Sequence, residues 1–563
     1  MFALTGAAQG VLLWWLWHVR LVGAETPALT ALLYATLAVP LVIYCTQDIE
    51  RLPARVRRAA VVGYLVAYAL LGAYTAWVQG AMRNALAVPP VTALASFVLG
   101  FVSLHLLCGF DFQTRRWDYA RLFHASWRNG ILLATAAAMT GLVWLVLLAG
   151  AGLMQLIGVR WIMDLIREPA FAFPVTGVVS ASAFAMGLVR ASLTESIRRF
   201  QLSIASWLLP LALSFGVLWV LALPWTGLEA LFQTRKATLM MLGFTTLAVV
   251  FSNCAYQDGQ VGWPYPRWLS LATQAAWLSL LPVVAIAWWA LGLRIDQHGL
   301  TELRLWASLS ATLAGIYAIG YALSWRDTGR WMEGIARTNI AAALVLCGGL
   351  LAFLTPLGNV QRLAVQSHLR HLAAAEDAAE PDWRYLRWQS GRFGREALAA
   401  MASGQGVPPS RPWARQASEA LAQTSRYAAK PSPVELNEPT LREKFVVLPE
   451  GKALPESFVQ HVLSSAQPWE FRDCLGAKAP CAFWLGDLDD DGADEIVLFH
   501  PATYRNGTLF QLSGHRWVRA GFLSAQGKRA LMEAEQLAQA HAQPAQWRDL
   551  LIGGRRFRVS LHD

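Results

Sequence analysis

The residues best suited to chemistry in this sequence form an acidic run, GDLDDDGADE, which begins at Gly486. Asp487, Asp489 and Asp491 occupy positions one, three and five of a loop, and a glycine at position six allows a sharp turn. Carboxylates at this spacing converge on one point, as in the first half of an EF-hand loop. Glu495 would add a ligand directly or through water. The pattern predicts one Ca²⁺ site.

The acidic run departs from an EF-hand in two ways. Leu498 stands where position twelve should supply a glutamate, and the flanking residues favour strands rather than helices. The run therefore resembles the Asp-rich turns of FG-GAP and related β-repeat proteins, which hold Ca²⁺ between two strands. Carboxylates this close together repel one another without a cation. The ion would brace the fold rather than catalyse; the alternative is a solvated acidic turn.

Two of the six cysteines, Cys474 and Cys481, lie close together just before the acidic run, with Gly476 and Pro480 between them. This spacing suits a disulfide that closes a short loop, and disulfides persist in oxidising compartments. A zinc pair is the alternative, although no further Cys or His accompanies them with ligand spacing. The other four cysteines lie in apolar runs and are expected to be packing residues.

Polar residues inside apolar runs are candidates for a membrane site. His105 lies deep in one run, where it has either a proton or ligand role or a packing role. Asn253 and Asp258 lie at the end of another run, where a polar helix end is the alternative. The scarcity of buried acids argues against an ion-coupled transporter. The sequence lacks a Walker A run, a dinucleotide fingerprint, HExxH and GxSxG, and no catalytic residue is assigned.

The elements that carry these residues follow from hydropathy. The chain has 563 residues, of which 55% are hydrophobic and only 15% charged, whereas soluble domains carry about 25% charged residues. A spanning helix needs about 20 mostly apolar residues. Eleven runs without Asp, Glu, Lys or Arg satisfy this: Met1–Val19, Ala28–Cys45, Ala59–Val78, Ala85–Phe110, Gly130–Gly158, Pro169–Leu188, Ile204–Gly227, Ala237–Tyr256, Trp268–Leu293, Leu305–Trp325 and Ile340–Leu357.

The sequence therefore predicts an α-helical polytopic membrane bundle over residues 1–357, followed by a small soluble α+β domain over residues 444–563. Residues 358–443 are expected to form a helical juxtamembrane segment and a linker, because Ser403–Pro433 is rich in Pro, Ser, Gly and Ala. Strands are predicted at Phe483–Leu485, Ile496–Phe499, Thr508–Gln511 and Trp517–Val518, and a helix at Gln526–Ala540.

Loop charge predicts the orientation. Arginines are concentrated in the loops after the second, fourth, sixth and tenth runs, and positive loops stay cytoplasmic. The N-terminus is then cytoplasmic, and an odd number of spans places the C-terminal domain in the periplasm. The net charge of +10 reflects these loops, so no nucleic-acid partner is expected. Residues Asp111–Asn129 have apolar residues on one helical face, which suits either a helix at the membrane interface or an ordinary charged connection.

The chain resembles the DUF4153 family of uncharacterised bacterial polytopic membrane proteins. Three stretches carry the resemblance: Arg294–Trp306 with its Gly-Leu-Thr-x-x-Arg segment, Tyr385–Gly394 followed by Ala397 and Leu398, and the Cys474/Cys481 pair leading into Asp487–Glu495. The resemblance implies a protein of the bacterial inner membrane. It implies no activity and no catalytic residues.

Two classes of function remain open at this stage. The first is a non-enzymatic envelope protein that handles a lipid or apolar ligand, or that binds membrane or periplasmic partner proteins. The second is a membrane-embedded enzyme acting on a lipid-linked substrate, for which Asp164, Arg167 and Glu168 form the tightest interfacial cluster. A transporter is a further alternative.

Overall fold

The computed structural model covers the whole chain and describes residues 2–21, 27–49, 54–80, 90–234, 236–260, 262–324, 331–374, 381–406, 413–423, 438–439, 441, 445–464, 471, 474, 481–500, 506–514, 516–524, 540, 550–552 and 555–557. The chain divides into two compact units, residues 1–422 and 423–563. The first unit is helical and the second is built on a β-sheet. The predicted class, a polytopic helical bundle followed by a small α+β domain, is confirmed.

The first unit contains eighteen described α-helices and one two-stranded hairpin. They are α1 (Phe2–Leu21), α2 (Pro27–Ile49), α3 (Ala54–Gln79), α4 (Pro90–Gly109), β1 (Phe110–Asp111), β2 (Arg116–Trp117), α5 (Tyr119–Leu156), α6 (Trp161–Arg167), α7 (Pro169–Val189), α8 (Ala191–Thr226), α9 (Glu229–Gln233), α10 (Ala237–Tyr256), α11 (Arg267–Ala276), α12 (Leu280–His298), α13 (Glu302–Leu323), α14 (Gly334–Leu354), α15 (Val360–Ala374), α16 (Trp383–Trp388), α17 (Gly391–Ala402) and α18 (Trp413–Ala422).

Nine helical segments among the described residues are long and apolar enough to cross a membrane. They correspond to nine of the eleven predicted spans, with α11 and α12 joined by a short 3₁₀ turn, Trp277–Ser279, into one of them. The first two predicted spans coincide with α1 and α2, which have 20 and 23 residues. These two are helices as predicted, but their described residues do not meet the same criterion.

Helix α5 corrects the interpretation of Asp111–Asn129. The segment begins with the β1–β2 hairpin, in which Phe110 pairs with Trp117, and then enters a continuous helix of 38 residues. Asp118 caps this helix by accepting a hydrogen bond from the backbone N–H of Arg121. Neither a separate interfacial helix nor a plain loop is present. The charged first turns extend a membrane span, because nothing in their sequence breaks the helix.

The helix ends alternate between two faces of the bundle. One face, the hairpin end, carries the β1–β2 hairpin and the first turns of α5. At the other face, the layer end, the C-terminal end of α3 meets α17 through a hydrogen bond from Arg395 Nη2 to the Gln79 carbonyl at 2.8 Å. The loop after α12 meets α15 there, where the Leu300 N–H donates to Ser367 Oγ at 2.8 Å. Successive spans therefore run in opposite directions.

Helices α15 to α18 form a small layer with its own apolar core, and they belong to the first compact unit. Helix α18 lies inside the segment that the composition marked as a linker. Trp413, Ala417 and Ala420 are buried on one face of this helix, at the spacing of an amphipathic helix. A high content of Ala and Ser thus conceals a packed helix here.

The second unit contains a five-stranded sheet in the order β3–β4–β5–β6–β7. Its strands are β3 (Phe445–Leu448), β4 (Cys481–Gly486), β5 (Glu495–Phe499), β6 (Asn506–Ser513) and β7 (Arg516–Ser524); α19 (Glu456–Ser464) lies between β3 and β4, and a hairpin of β8 (Leu550–Ile552) and β9 (Arg555–Phe557) follows. β3 is parallel to β4, and the other neighbours are antiparallel. Each predicted strand is present. The helix predicted at Gln526–Ala540 lies almost wholly outside the described residues.

The sheet of the second unit is buried on both faces at its centre. Phe483 and Leu485 of β4 face a core that includes Phe458 of α19, whereas Ala482 and Trp484 face a second cluster. This alternation follows from the two-residue period of a strand. β4 and β5 form a hairpin, with the acidic turn at one end and Cys481 at the other.

Candidate functional site

A network of amides and hydroxyls joins four helices near the hairpin end of the bundle. Asn339 Nδ2 on α14 donates to Tyr119 Oη on α5 at 2.8 Å and to Asn253 Oδ1 on α10 at 2.5 Å. Tyr321 Oη on α13 donates to Asn339 Oδ1 at 2.6 Å and accepts from Asn253 Nδ2 at 3.1 Å. Tyr321 is fully buried and packs edge-on against the Trp277 ring. Together these groups satisfy one another inside an apolar bundle.

His105 has a separate partner on α5. Its Nδ1 lies 2.6 Å from the Phe101 carbonyl, which makes Nδ1 the protonated nitrogen. Its Nε2 therefore accepts from Asn129 Nδ2 at 3.0 Å. The side chain is 4% exposed, and Asn129 is buried as well. The geometry is that of a hydrogen-bonded packing histidine linking α4 to α5.

Asp258 takes part in a charged chain at the hairpin end. Arg198 Nη1 on α8 lies 2.6 Å from His124 Nδ1 on α5, so His124 accepts there and carries its proton on Nε2. That Nε2 lies 3.1 Å from Asp258 Oδ2, and Arg198 Nη2 also pairs with Glu195 at 2.7 Å. This chain ties the first turns of α5 to α8 and to the end of α10.

The three predicted membrane residues, His105, Asn253 and Asp258, thus do not converge on one site. Each contacts a different residue of α5, which is the element that connects them: His105 contacts Asn129, Asn253 contacts Tyr119 and Asp258 contacts His124. Sequence reasoning missed the contributions of Tyr119, Tyr321 and Asn339. The only available signal was that Asn339 directly precedes the last apolar run, where an amide is costly unless it is hydrogen-bonded.

A groove of about 790 Å³ runs between α3, α4 and α14, within the size range of small-molecule sites. Its lining is almost entirely apolar. It is formed by Ala60, Gly63, Tyr64, Ala67, Tyr68, Leu70, Leu71, Tyr74, Leu99, Gly100, Ser103, Cys347, Gly348, Leu351, Thr355 and Pro356. We call it the α3/α4/α14 groove.

Two glycines leave space in this groove. Gly63 on α3 and Gly348 on α14 each face open space, since a Cβ built on either one would meet no atom within 4 Å. Two hydroxyls on one wall are engaged with α4: Tyr64 Oη donates to Ser103 Oγ at 3.0 Å, and Tyr68 Oη donates to the Ser96 carbonyl at 2.7 Å. The surface that remains in the groove is suited to an apolar chain rather than to a polar substrate.

A smaller groove of about 590 Å³ lies between α12, α13 and α14. Trp288 and Ile316 contribute to its apolar walls, and Arg337 lies at its rim. Gly315 lines it as well and has open space around its Cβ position. The lining of this smaller groove is equally apolar, but it lies along the N-terminal half of α14, whereas the α3/α4/α14 groove lies along the C-terminal half.

The acidic turn of the second unit brings three of the four predicted ligands together. One oxygen from each of Asp487, Asp489 and Asp491 lies within 4.8 Å of the others, which fits a Ca²⁺ ion with oxygens at 2.3–2.6 Å. Backbone donors also close the turn: Asp487 accepts from the N–H groups of Asp491 and Gly492, at 3.2 and 2.9 Å. The cluster could hold a hard cation through these three side chains.

Glu495 lies beside this cluster, as the first residue of β5. It is 4% exposed, and its Oε2 accepts from the Leu488 N–H at 2.8 Å. Burial raises the pKa of this carboxyl; the Leu488 N–H opposes the rise, and the three aspartates add to it. In this arrangement Glu495 supports the turn through its hydrogen bond with Leu488. Its predicted role as a ligand, directly or through water, stays a prediction.

The predicted pairing of Cys474 with Cys481 is present as a disulfide. Both cysteines are fully buried. The structure adds a neighbour that the sequence spacing did not reveal, because one ring nitrogen of His500 lies within 4.8 Å of both sulfur atoms. The strand register could have found it: Ala482 pairs with Phe499, so the next pair along the ladder is Cys481 and His500.

The interfacial cluster considered for an enzyme lies on α6 and at the start of α7. Asp164, Arg167 and Glu168 are all exposed there.

No family model, no curated protein and no solved structure matches this chain.

Proposed function

We propose that this chain is a non-enzymatic multi-pass protein of the bacterial inner membrane that holds a lipid-like or otherwise apolar ligand in the α3/α4/α14 groove. The observation that carries the proposal is the groove itself, with its apolar lining and its volume of about 790 Å³. Lipid chains already surround the bundle, so an acyl or isoprenoid chain is the most available ligand of this chemistry.

The groove suits retention of a chain better than plain lipid contact. The small residues Ala60, Gly63 and Ala67 follow one another at helical spacing along one face of α3. Such stripes normally let another helix approach closely, but here α4 and α14 leave open volume in front of them. A chain lying there gains van der Waals contact on several sides, which lipid at a convex helix surface does not.

The expected location and orientation belong to the same proposal. Arginine enrichment in alternate loops supports a cytoplasmic N-terminus, and the resemblance to the DUF4153 family supports the bacterial inner membrane. The hairpin end would then face the cytoplasm, and the layer end and the second unit would face the periplasm. A disulfide in the second unit agrees with an oxidising compartment.

The second unit supplies a surface for a periplasmic partner in this proposal, and its acidic turn binds Ca²⁺ in a structural role. Convergence of three carboxylate oxygens supports the ion. The turn caps the β4–β5 hairpin, so the ion would stabilise this hairpin and take no part in a reaction.

The test is to fill the groove and measure bound lipid. Gly63→Leu and Gly348→Leu each add a side chain where a Cβ meets open space, so both variants should fold. Gly150→Leu is the matched control, because Gly150 is exposed on α5 outside the groove and is equally open. Gly315→Leu fills the smaller groove and reports on that site separately.

Native mass spectrometry of the detergent-purified chains would count the lipids that remain bound. We expect the two groove variants to lose most of the bound lipid, and the Gly150→Leu and Gly315→Leu variants to retain it. Equal retention in all four variants would overturn the proposal. If the wild-type chain instead carries a second polypeptide that is lost only in the groove variants, the groove is a docking site for a partner helix.

A further inference from the structure

Two cysteine sulfurs and one imidazole meet at the end of the β4–β5 hairpin that lies opposite the acidic turn. The sulfurs of Cys474 and Cys481 and one ring nitrogen of His500 all lie within 4.8 Å of one another. The two cysteines are fully buried, and His500 is half-buried. We call these three residues the Cys₂His cluster.

The sheet sets this geometry. Cys481 is the first residue of β4 and His500 directly follows β5, so the antiparallel register places them opposite one another on the same side. Directly opposite residues have Cβ atoms about 4.5–5.5 Å apart, which brings an imidazole nitrogen to a neighbouring thiol. Cys474 approaches from the preceding segment, with its Cα 5.6 Å from that of Cys481.

We propose that the reduced Cys₂His cluster is a binding site for a thiophilic metal ion of the Zn²⁺ class, and that the disulfide is the metal-free state of the same site. Two thiolates and one imidazole are three of the four ligands of a tetrahedral zinc centre, and water completes such a centre. The sulfur ligands exclude Ca²⁺ and Mg²⁺, which require oxygen. This inference is independent of the lipid groove.

The two states are related by a balanced exchange. A dithiol reductant gives two electrons and two protons to the Cys474–Cys481 bond, which yields two protein thiols and an oxidised dithiol. Each thiol then loses its proton to solvent as its sulfur binds the ion, so uptake of one Zn²⁺ releases two protons. A disulfide oxidant reverses both steps: it accepts two electrons and two protons from the cysteines and becomes a dithiol, while the Cys474–Cys481 bond forms again. The metal is then released, because a sulfur in a disulfide has no thiolate charge to donate.

The size of the cluster fits both states. Zinc bonds sulfur at about 2.3 Å and nitrogen at about 2.0–2.1 Å, so ligand atoms around one ion lie less than about 4.5 Å apart. The three ligand atoms already lie within 4.8 Å of one another, so the His500 nitrogen needs at most a small movement toward the sulfurs. The two sulfurs must move apart once their bond is broken, which rotation about the Cys side chains provides without moving the strands.

The experiment uses the full chain in detergent. One sample stays oxidised, and a second is treated with dithiothreitol and desalted without oxygen, with reduction verified by thiol counting. Zn²⁺ is then titrated against a chromophoric chelator in excess Ca²⁺, so that the acidic turn is occupied. Co²⁺ replaces Zn²⁺ in a parallel titration to report thiolate coordination by its absorption.

We expect the reduced chain to bind one Zn²⁺ more than the oxidised chain, with the absorption of cobalt-bound thiolate. His500→Ala keeps the disulfide when oxidised, and it should weaken this binding at least about tenfold, since even loss of an outer partner of a ligand costs about 10–100-fold. His461→Ala is the matched control, because His461 stacks on Phe458 in the same unit. Cys474→Ser/Cys481→Ser measures any contribution from the cysteines of the helical unit.

Three results would overturn the inference. The first is equal Zn²⁺ binding by the oxidised and reduced chains. The second is undiminished binding by the reduced His500→Ala variant. The third is a disulfide that resists dithiothreitol in the folded chain, because a site that never opens cannot exchange its bond for a metal ion.

Discussion

Replacing Asn339 by Leu should weaken the helical bundle by removing the centre of its polar network. Asn339 makes hydrogen bonds to three different helices, through Tyr119 at 2.8 Å, Asn253 at 2.5 Å and Tyr321 at 2.6 Å. Leucine has a similar size and suits an apolar surrounding, so the change removes the hydrogen bonds with little loss of packing.

The expected loss follows from these contacts. Hydrogen bonds between membrane helices are worth about 0.6 kcal/mol each on average, so three of them predict a decrease of about 2 kcal/mol in the free energy of unfolding. Tyr321 is fully buried, and a buried polar group left without its partner costs about 1–3 kcal/mol. That cost makes a smaller decrease unexpected.

The assay is equilibrium unfolding in mixed micelles, followed by tryptophan fluorescence. Thr338→Val is the matched control: it removes the neighbouring hydroxyl, which donates within α14 to the Gly334 carbonyl at 3.0 Å. Tyr321→Phe completes a double-mutant cycle with Asn339→Leu. Equal stability of Asn339→Leu and Thr338→Val, or additive effects of Tyr321→Phe and Asn339→Leu, would refute the reasoning that this network holds the four helices together.

Three further predictions concern the acidic turn, the topology and the layer end. At a Ca²⁺ concentration about 100-fold above a dissociation constant of about 0.1–1 mM, the second unit should gain about 2.7 kcal/mol of stability. Asp489→Asn should abolish most of that gain. Asp494 pairs with Lys452 at 2.6 Å and lies outside the cluster, so Asp494→Asn should retain the gain. A melting temperature that does not respond to Ca²⁺ would show that the turn is only a solvated hairpin. A periplasm-dependent phosphatase fused after Asp563 should be active, and an inactive fusion with normal expression would contradict the proposed orientation. Burial lowers the pKa of His368, more than nearby Asp382 raises it, and its Nε2 accepts from the Asp382 N–H at 3.3 Å. The unfolded state therefore binds more protons than the folded state just below about pH 6.5, so the free energy of unfolding should fall as the pH drops through this value. His368→Gln should reduce this dependence of stability on pH. An unchanged dependence would show that His368 is not its source.

The sequence predicted the elements of this fold well where hydropathy alone decides them. Of the eleven predicted spans, nine coincide with described helices that are long and apolar enough to cross a bilayer, which requires about 20 apolar residues in a row. The acidic turn indicated a hairpin because turn residues separate two apolar strands, and β4 and β5 confirm this. The start of helix α5 was harder to predict from the sequence. The charged residues before Gly130 suggested that the helix begins there, but a helix continues unless a residue stops it, and α5 begins at Tyr119.

The contacts between elements were not predictable in the same way. Tyr119 and Asn339 are separated by 220 residues, and their pairing depends on which helices pack together rather than on either local pattern. Cys481 and His500 meet only because of the strand register. The α3/α4/α14 groove is a further case, since small residues such as Gly63 are equally consistent with a closely packed neighbouring helix and with an open groove. Its existence depends on where α14 lies.

The proposed lipid-holding role of the α3/α4/α14 groove is tested most directly by photochemical labelling in native membranes. Cells would incorporate a fatty acid that carries a diazirine and an alkyne, and irradiation would join it to whatever protein surface it touches. Peptide mapping by mass spectrometry should find the label concentrated on the facing segments of α3, α4 and α14, around Gly63, Leu99 and Leu351. Labelling spread evenly over exposed apolar faces, such as Leu218 and Phe215 of α8, would contradict a groove that retains lipid.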